Sequence, residues 1–446
     1  MSSRRLDPPL AVRPVFAGAS PRRKRWESRT GEVAEGPNRF KDGFFMSRVR
    51  IIAASSALVG AVVGLGATGN ASTVPDSTMP ASTVPDSSAA PDAAPSIGSL
   101  RFIGEQVISN LTMVDGTLVG GLSGITFNLE TGSYVIISDD RSDNNPARFY
   151  DASLTFDETT FESVEIAAAH TFLQADGTPY PNEEQGGDVP DPEAIRIDPN
   201  DGSLWWTSEG SQLLGLAPVL THADATGQAL DTFTLPEAFS AAPDQEAAGI
   251  RNNKATEGLT FAADGQSLFA IMEGPLFQDA SLPTLDAGST SRIVQFDLAG
   301  NVTAQYAYPL DPLQGEPAGD LADLADNGAT EILAIDDTSF LVIERSGIPQ
   351  AEGPWKMFVR IYEVDIAGAT DISDVEGLAA STDYVATTKT LVLNFEDTDL
   401  EHIDNLEGMT WGPVLAGGNQ TLVVVSDNNF DPTSVTQFLA YEVVPG

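Results

Sequence analysis

A short pattern recurs five times between residues 123 and 429, and it constrains the fold more than any other feature of this chain. Each copy is a short apolar strand, a turn rich in glycine, aspartate or asparagine, and a second strand of β-branched or aromatic residues. Such turn residues tolerate the positive φ angles of tight turns, so each copy predicts a β-hairpin. The hairpins begin 64 to 76 residues apart, at Ser123, Glu193, Glu257, Glu331 and Glu407.

The rest of each period is also strand-like, which indicates a repeated unit of four strands. Only one further strand, "TQFLAYEVV", follows the fifth hairpin, whereas "SLRFIGEQVIS" (residues 99–109) precedes the first hairpin without a partner. If this N-terminal strand completes the last sheet, five units close into a ring without exposed edges. We therefore predict an all-β fold, a β-propeller of five four-stranded blades closed by the N-terminal strand. Six blades would follow if residues 371–386 contain strands, and a β-sandwich fits the repeat less well.

The N-terminal part predicts three segments ahead of a propeller at residues 99–446. Residues 46–71 combine a short basic region, an apolar run and the small residues "GNA", which is typical of a signal peptide. The apolar run is shorter than the about 20 residues that a spanning helix prefers, so we expect a secreted protein without stable membrane insertion of the mature form. Residues 1–45 are Arg- and Pro-rich and suggest an over-extended start. Residues 72–98, rich in Pro, Ser and Ala, predict a linker.

The charge of the chain is strongly negative and unevenly distributed. The formal net charge is −41, and residues 72–446 contain 11 basic and 59 acidic residues. Such a body repels nucleic acid and anionic membranes and attracts cations, so we expect no nucleic-acid partner, and we expect a monomer. Many of the carboxylates could serve solubility alone. The absence of cysteine from the sequence excludes disulfides, thiolate nucleophiles and Cys-ligated metals.

The four glutamates that begin hairpins acquire a common location in a propeller. Equivalent strands surround the central channel, so Glu193, Glu257, Glu331 and Glu407 are expected at one mouth of it, with Ser123 in the slot of the first blade. In an antiparallel hairpin the end of the second strand lies beside the start of the first. The same mouth should therefore hold further polar residues: Asp139, Asp140, Arg141, Glu209, Glu273, Glu344, Arg345 and Asp427.

Carboxylates so close together would raise one another's pKa or require a cation. Ca²⁺ accepts about six to eight oxygen ligands in loose geometry, which suits a ring of Glu and Asp. The predicted calcium ligands are Glu193, Glu257, Glu331, Glu407, Asp139, Glu273 and Asp427. Alternatively these side chains are structural, accepting backbone N–H groups or pairing with arginine, or they perform acid–base chemistry directly.

The few basic residues near the hairpins are candidates for binding a small anionic or ester substrate. Guanidinium and ammonium groups recognise carboxylate and phosphate, although these side chains could also only neutralise neighbouring carboxylates. The predicted substrate-binding residues are Arg251, Lys254, Arg141 and Arg345, and the predicted catalytic residues are Glu257, Glu344, Arg345, Asp140 and Arg141. The sequence contains no GxSxG, HExxH or P-loop motif.

Several segments together resemble the exported bacterial proteins of the esterase-like activity of phytase family. They are "DDR", "EGLTFAADGQSLFAIMEGPL", "ERSG", "VRIYEVDI" and "DNLEGMTW", and the resemblance covers about residues 100–444. It implies a propeller related to the calcium-dependent β-propeller phytases and a hydrolase of phosphoesters or carboxylic esters. The basic phosphate-binding clusters of propeller phytases are not apparent here, which argues against phytate as the substrate.

Two functional hypotheses follow from the residues and the resemblance together. In the first, the protein is a secreted Ca²⁺-dependent hydrolase whose channel carboxylates hold the metal and activate water, while Arg141 and Arg345 orient the anionic ester. In the second, it is a non-catalytic binding module whose calcium is structural. A lactonase-like propeller is a further alternative within the enzyme class.

Overall fold

The computed structural model describes residues 97–446, which are all-β apart from four short 3-10 helices. The predicted upstream extension, the signal peptide and nearly the whole linker lie outside the described residues. Within residues 97–446, no helix is long and apolar enough to cross a membrane. The 3-10 helices are Glu237–Phe239, Gly319–Leu324, Leu378–Ala380 and Phe395–Asp397.

The described residues begin with a strand that belongs to the last blade and with a small hairpin, and the other sheets then follow in chain order. The first strands are β1 (Ile97–Ile108), β2 (Met113–Val114) and β3 (Thr117–Leu118). Blade 1 comprises β4 (Gly124–Asn128), β5 (Ser133–Ser138), β6 (Arg148–Phe156) and β7 (Phe161–Thr171). Blade 2 comprises β8 (Pro192–Ile197), β9 (Leu204–Ser208), β10 (Val219–Ala223) and β11 (Ala229–Thr234).

The remaining three blades follow the same antiparallel order. Blade 3 comprises β12 (Thr256–Phe261), β13 (Ser267–Met272), β14 (Ser289–Asp297) and β15 (Val302–Leu310). Blade 4 comprises β16 (Asp326–Ala334), β17 (Ser339–Ile348), β18 (Lys356–Asp365) and β19 (Thr388–Asn394). Blade 5 comprises β20 (Asn405–Trp411), β21 (Thr421–Asp427), β22 (Thr436–Pro445) and β1.

The five blades close into a ring. The first strand of each blade contacts its counterparts in the order β4, β8, β12, β16, β20 and back to β4, so these strands surround the central channel. At the outer edge of blade 5, β1 pairs with β22 from Ile97 opposite Pro445 to Ile108 opposite Thr436. The predicted five-bladed propeller and its closure by the N-terminal strand are confirmed. Residues 371–386 contain a 3-10 helix and no strand, which excludes the six-bladed alternative.

The second strands of the blades are apolar without alternation because both of their faces are covered. In β21, the side chains of Val423 and Val425 belong to an apolar cluster that includes Ile125 of blade 1, whereas Val424 between them belongs to a cluster that includes Leu341 of blade 4. Each blade thus buries one face against each neighbour, and the resulting sequence is a continuous apolar run. The core of the molecule consists of these layers between blades.

Glycine follows the glutamate in blades 3 and 5 because the innermost strands approach one another closely there. A Cβ atom on Gly258 would lie 2.5 Å from the backbone nitrogen of Ile332 in blade 4. A Cβ on Gly408 would lie 2.9 Å from the Cα of Gly124 in blade 1. The Glu-Gly pair therefore combines a polar side chain with the smallest residue at the contact between blades.

Replacing Gly258 by alanine should destabilise the protein by about 1–3 kcal/mol, because the new methyl group meets backbone that cannot move independently. Chemical unfolding in urea measures this change. Gly417→Ala is the matched control, since a Cβ at Gly417 would meet no atom within 4 Å. Equal stability of the two variants would contradict the proposed contact between blades.

Candidate functional site

The innermost strands of blades 2 to 5 each contain a β-bulge near the start of the strand. The register shifts lie between Pro192 and Ile195, between Thr256 and Leu259, between Ala329 and Glu331, and between Leu406 and Gly408. Strand β4 of blade 1 pairs with β5 without a shift. A bulge places an extra residue outside the regular alternation and redirects its side chain, and bulges are frequent next to active sites.

In blade 4 the glutamate lies one residue after the bulge, whereas in blade 5 the glutamate is itself the extra residue of the bulge. In β20 the extra residue of the bulge is Glu407, which lies between Leu406 and Gly408. In β16 the extra residue is Thr330, and Glu331 is already paired with Ile343 of β17. Glu331 therefore does not occupy the slot that we predicted for it. The five slots hold Ser123, Glu193, Glu257, Thr330 and Glu407.

Glu331 instead forms a buried ion pair with Arg196 inside the channel. The Nη2 of Arg196 lies 2.8 Å from Oε2 of Glu331, whose carboxylate also accepts the N–H groups of Ile332 and Met409. Burial raises the pKa of Glu331, although Arg196 and these hydrogen bonds oppose the shift.

Arg196 connects the innermost strands of four blades. Its guanidinium donates to the backbone carbonyls of Ile195 (2.8 Å), Ile125 (2.9 Å), Ile332 (3.3 Å) and Met409 (3.3 Å), which belong to blades 2, 1, 4 and 5. A side chain that contacts four innermost strands must lie near the channel axis. Arg196 and Glu331 therefore obstruct the channel, a role that the sequence analysis missed.

The mouth contains a buried cluster of carboxylates from blades 2 and 3. One carboxylate oxygen from each of Asp191, Glu193 and Glu209 lies within 4.8 Å of the other two, and the same holds for Glu209, Glu257 and Glu273. All five residues are buried. Glu209 belongs to both groups, so the two groups form one continuous cluster.

The second strand of each blade also contributes one polar side chain to this mouth, as the hairpin geometry predicts. Equivalent positions near the mouth are occupied in these strands by Ser138, Ser208, Met272, Glu344 and Ser426, so the residues that follow them are equivalent as well. They are Asp139, Glu209, Glu273, Arg345 and Asp427. Four carboxylates and one arginine thus surround the opening.

Three basic side chains lie among these carboxylates, and each is in an ion pair. The Nε of Arg141 donates to Asp191 at 2.6 Å. The Nζ of Lys254 lies 2.8 Å from Glu273 and 2.6 Å from Asp326. These contacts neutralise part of the cluster and fix the orientation of its carboxylates.

Arg345 links the carboxylates of three blades. Its guanidinium lies 3.2 Å from Glu273 of blade 3, 3.3 Å from Asp326 of its own blade and 3.0 Å from Glu407 of blade 5. Burial alone would lower the pKa of Arg345, but Asp326, Glu273 and Glu407 raise it above its usual value. Arg345 therefore remains charged at the mouth.

Several carboxyl groups at the mouth hold their protons to unusually high pH. Burial, together with the charges of Glu407 and Asp191, raises the pKa of Asp139 to about 8. Burial and neighbouring carboxylates also raise the pKa values of a further set well above the usual range: Glu193, Glu209, Glu257 and Asp427. Replacing these protons by a divalent cation would relieve the same repulsion.

The donor set at the mouth fits an oxygen-seeking cation such as Ca²⁺. All candidate ligands are carboxylate or amide oxygens, which are the ligands that calcium takes in proteins. Two further oxygens there, Oδ1 of Asp139 and Oδ1 of Asn405, are buried without a hydrogen-bond partner among the described residues. Asn405 also donates through Nδ2 to Glu407 at 2.8 Å, so its amide lies beside the cluster.

Asp191 is the residue of the cluster that sequence reasoning missed. It lies two residues before Glu193, where blades 3 and 5 have Ala255 and Asn405. The motif "DPEA" thus contained a second acidic residue next to the glutamate, which was the available signal. Glu209 was placed at the mouth but was not included among the predicted ligands.

Asp140, which the sequence predicted as catalytic, organises a loop. Its carboxylate accepts the backbone N–H groups of Asp143, Asn144 and Asn145, each at 2.9 Å. It also accepts a hydrogen bond from the buried guanidinium of Arg148 at 2.7 Å. These four contacts saturate the carboxylate and hold residues 140–148 in place.

Glu344 and Arg251 also lie outside the carboxylate cluster. Glu344 accepts hydrogen bonds from Tyr308 at 2.7 Å and from Asn327 at 3.0 Å and pairs with Lys389, so it connects blades 3 and 4. Arg251 donates to the carbonyls of two loop residues and stacks on an aromatic ring 4.2 Å away. The carbonyls are those of Pro275 and Ala280, and the ring is that of Phe277.

The fold and the site together define a five-bladed β-propeller with a carboxylate-rich channel mouth. The chain belongs to the phytase-like family described as "Esterase-like activity of phytase", whose model matches residues 117–430. This confirms the resemblance found in the sequence. No curated protein matches the chain.

The chain also resembles solved structures at low sequence identity. A GH43 β-1,3-galactosidase with galactodeoxynojirimycin is 10% identical with a TM-score of 0.39, and the match covers 75% of this chain and 94% of that chain. A GH43 endo-arabinanase from Bacillus licheniformis is 12% identical with a TM-score of 0.36, and the match covers 74% and 95% of the two chains. At these values neither structure bears on the activity of this protein.

Proposed function

We propose that the protein is a secreted, Ca²⁺-dependent hydrolase of ester substrates that acts at the mouth of the propeller channel. Membership of the phytase-like family supports the hydrolase class. The observation that carries the proposal is the pair of buried carboxylate groups that share Glu209. Export through residues 46–71 is part of the proposal and rests on the signal-like sequence.

The residues that would hold calcium are those of the cluster: Asp191, Glu193, Glu209, Glu257 and Glu273. A bound Ca²⁺ would supply Lewis-acid polarisation of an ester oxygen and lower the pKa of a coordinated water. The chain itself contributes orientation, because Arg141 holds Asp191, and Lys254 holds Glu273. The Arg196–Glu331 pair obstructs the channel, so we expect substrate to enter and leave at the mouth.

Glu209→Gln should weaken calcium binding at least tenfold and reduce calcium-dependent ester hydrolysis in parallel, because this residue belongs to both carboxylate groups. The measurements are calorimetric titration of chelator-treated protein with Ca²⁺ and release of p-nitrophenol from its acetate and phosphate esters. Asp311→Asn is the matched control, since Asp311 pairs with Arg360 and Lys389 rather than with the cluster.

The outcomes of this experiment separate the two candidate functions. A non-catalytic module stabilised by calcium is the second candidate, because all three cations at the mouth are already engaged by carboxylates. Calcium binding without hydrolysis of either ester would favour that module. No heat of calcium binding and no change in melting temperature would rule out both candidates.

A further inference from the structure

We infer that the mouth selects uncharged or cationic esters and discriminates against anionic ones, phosphate esters included. This inference rests on the proposed function and assigns the substrate class of the same site. It reverses the expectation that Arg141 and Arg345 orient an anionic ester. Three observations carry it: the pairing of the basic residues, the excess of acidic side chains at the mouth and the composition of a crevice whose wall begins at Ser142.

The first observation concerns the basic side chains of residues 97–446. An anion needs a cation that is not already neutralised, yet ten of the eleven Lys and Arg residues in this range lie in ion pairs with carboxylates. The eleventh, Arg251, donates to two carbonyls and stacks on Phe277. The ten are Arg101, Arg141, Arg148, Arg196, Lys254, Arg292, Arg345, Lys356, Arg360 and Lys389.

The second observation is the excess of acidic side chains over basic ones at the mouth. Nine acidic side chains surround three basic ones, and a bound Ca²⁺ would take the place of protons on the acidic groups that hold it rather than add free positive charge. The acidic side chains are Asp139, Asp191, Glu193, Glu209, Glu257, Glu273, Asp326, Glu407 and Asp427, and the basic ones are Arg141, Lys254 and Arg345.

A phosphate group would have to displace one of these carboxylates from its cation. Lys254 and Arg345 share the carboxylates of Glu273 and Asp326, all of them largely buried. Removing the partner of a buried charge is strongly unfavourable, because the charge that remains is desolvated and uncompensated. An uncharged ester requires no such displacement, since its carbonyl oxygen can approach the site without a counter-ion.

The third observation is an open crevice of about 780 Å³ between residues 142–146 and residues 174–188. Its wall includes Ser142, which directly follows Arg141 and whose hydroxyl donates to the carbonyl of Tyr180 at 2.9 Å. Amide, hydroxyl and proline side chains line the crevice, and its only charged lining residue is Asp188. This surface suits an uncharged polar part of a substrate and offers no cation to an anionic part.

The test compares two non-hydrolysable ligands of similar size and opposite charge on the calcium-loaded full chain. We expect calorimetry to show that phenyltrimethylammonium binds at least about tenfold more tightly than phenylphosphonate, and that added NaCl weakens binding of the cation. In parallel, kcat/KM should be higher for p-nitrophenyl acetate than for p-nitrophenyl phosphate. Tighter binding of phenylphosphonate, equal binding or no binding of either ligand overturns the inference.

Asp326→Asn gives the inference a gain-of-binding test. The substitution removes one carboxylate from both Lys254 and Arg345, so the affinity for phenylphosphonate should rise, whereas Asp311→Asn should leave it unchanged. An unchanged affinity in Asp326→Asn would also count against the inference. Failure of the chain to hydrolyse any ester would sink the hydrolase proposal, but the ligand pair would still decide the charge preference of the mouth.

Discussion

Arg196→Met should lower the free energy of unfolding by about 3–5 kcal/mol, which is the loss expected when one partner of a buried ion pair is removed. The substitution leaves Glu331 buried without its counter-charge and removes the guanidinium that four backbone carbonyls share. Methionine is of similar length and fills the space, so the loss reports the polar contacts rather than a cavity.

Urea unfolding monitored by tryptophan fluorescence measures this loss. Arg196→Met combined with Glu331→Gln should recover part of the stability, because the uncompensated charge is then removed as well. Arg360→Met is the matched control: it removes an arginine paired with the partly exposed Asp311 at 3.4 Å and should cost less than about 1 kcal/mol. Similar losses in Arg196→Met and Arg360→Met would argue against a special role for the pair in the channel.

The calcium-free protein should lose stability as the pH rises from about 4 to about 8. Carboxyl groups of unfolded chains release their protons near pH 4. At the mouth, Asp139 has its pKa raised to about 8, and those of Glu193, Glu209 and Glu257 are also raised. Between these limits the folded protein binds more protons than the unfolded chain, so a rise in pH favours unfolding. Asp326, whose pKa is lowered by Lys254 and Arg345, opposes the trend.

Melting temperatures measured in chelator between pH 5 and pH 8 test this expectation. We expect a decline with pH that saturating Ca²⁺ reduces, because the cation replaces the protons that the carboxylates otherwise need. Asp139→Asn should flatten the decline in chelator, since an amide carries no titrating proton. A melting temperature that rises over this interval in calcium-free protein would show that the raised pKa values do not dominate.

The propeller was predictable because its signals are local and repeated. A hairpin needs only apolar strands and turn residues close together in sequence, and five hairpins at similar spacing leave few architectures. The closing strand could be inferred from the number of strands in each repeat. Blade 5 lacked one strand, and the strand before blade 1 had no partner in the sequence nearby. Convergence of the carboxylates at one mouth then followed from the antiparallel geometry of each hairpin.

The slot of blade 4 was not predictable, because a bulge moves a side chain by a single residue. "LEG" in blade 5 and "TEI" in blade 4 look equivalent in the sequence, because each has a glutamate in the middle. The extra residue of the bulge is nevertheless Thr330 in blade 4 and the glutamate in blade 5. A shift of one residue turns a side chain toward another face of the strand. As a result, Glu331 faces Arg196 rather than the carboxylate cluster.

The pairing of charges was only partly accessible from the sequence. Arg196 occupies a position where blades 1, 3 and 5 have Thr126, Thr260 and Thr410, so an arginine within an innermost strand was a signal that could have been used. The partners of Asp140 and Glu344, by contrast, include backbone N–H groups of a loop and a tyrosine of a neighbouring blade. Such contacts depend on the three-dimensional arrangement and leave no spacing in the sequence.

The pairing of β1 with β22 also determines on which side of the propeller the described chain begins and ends. Strand β22 begins near the mouth at Thr436 and ends at Pro445, which pairs with Ile97, so both ends of the described chain lie on the side opposite the carboxylates. Any attachment made through the segment before Ile97 would hold the propeller at the side opposite the carboxylates. The carboxylate-lined mouth would then point away from the point of attachment and toward the surrounding medium.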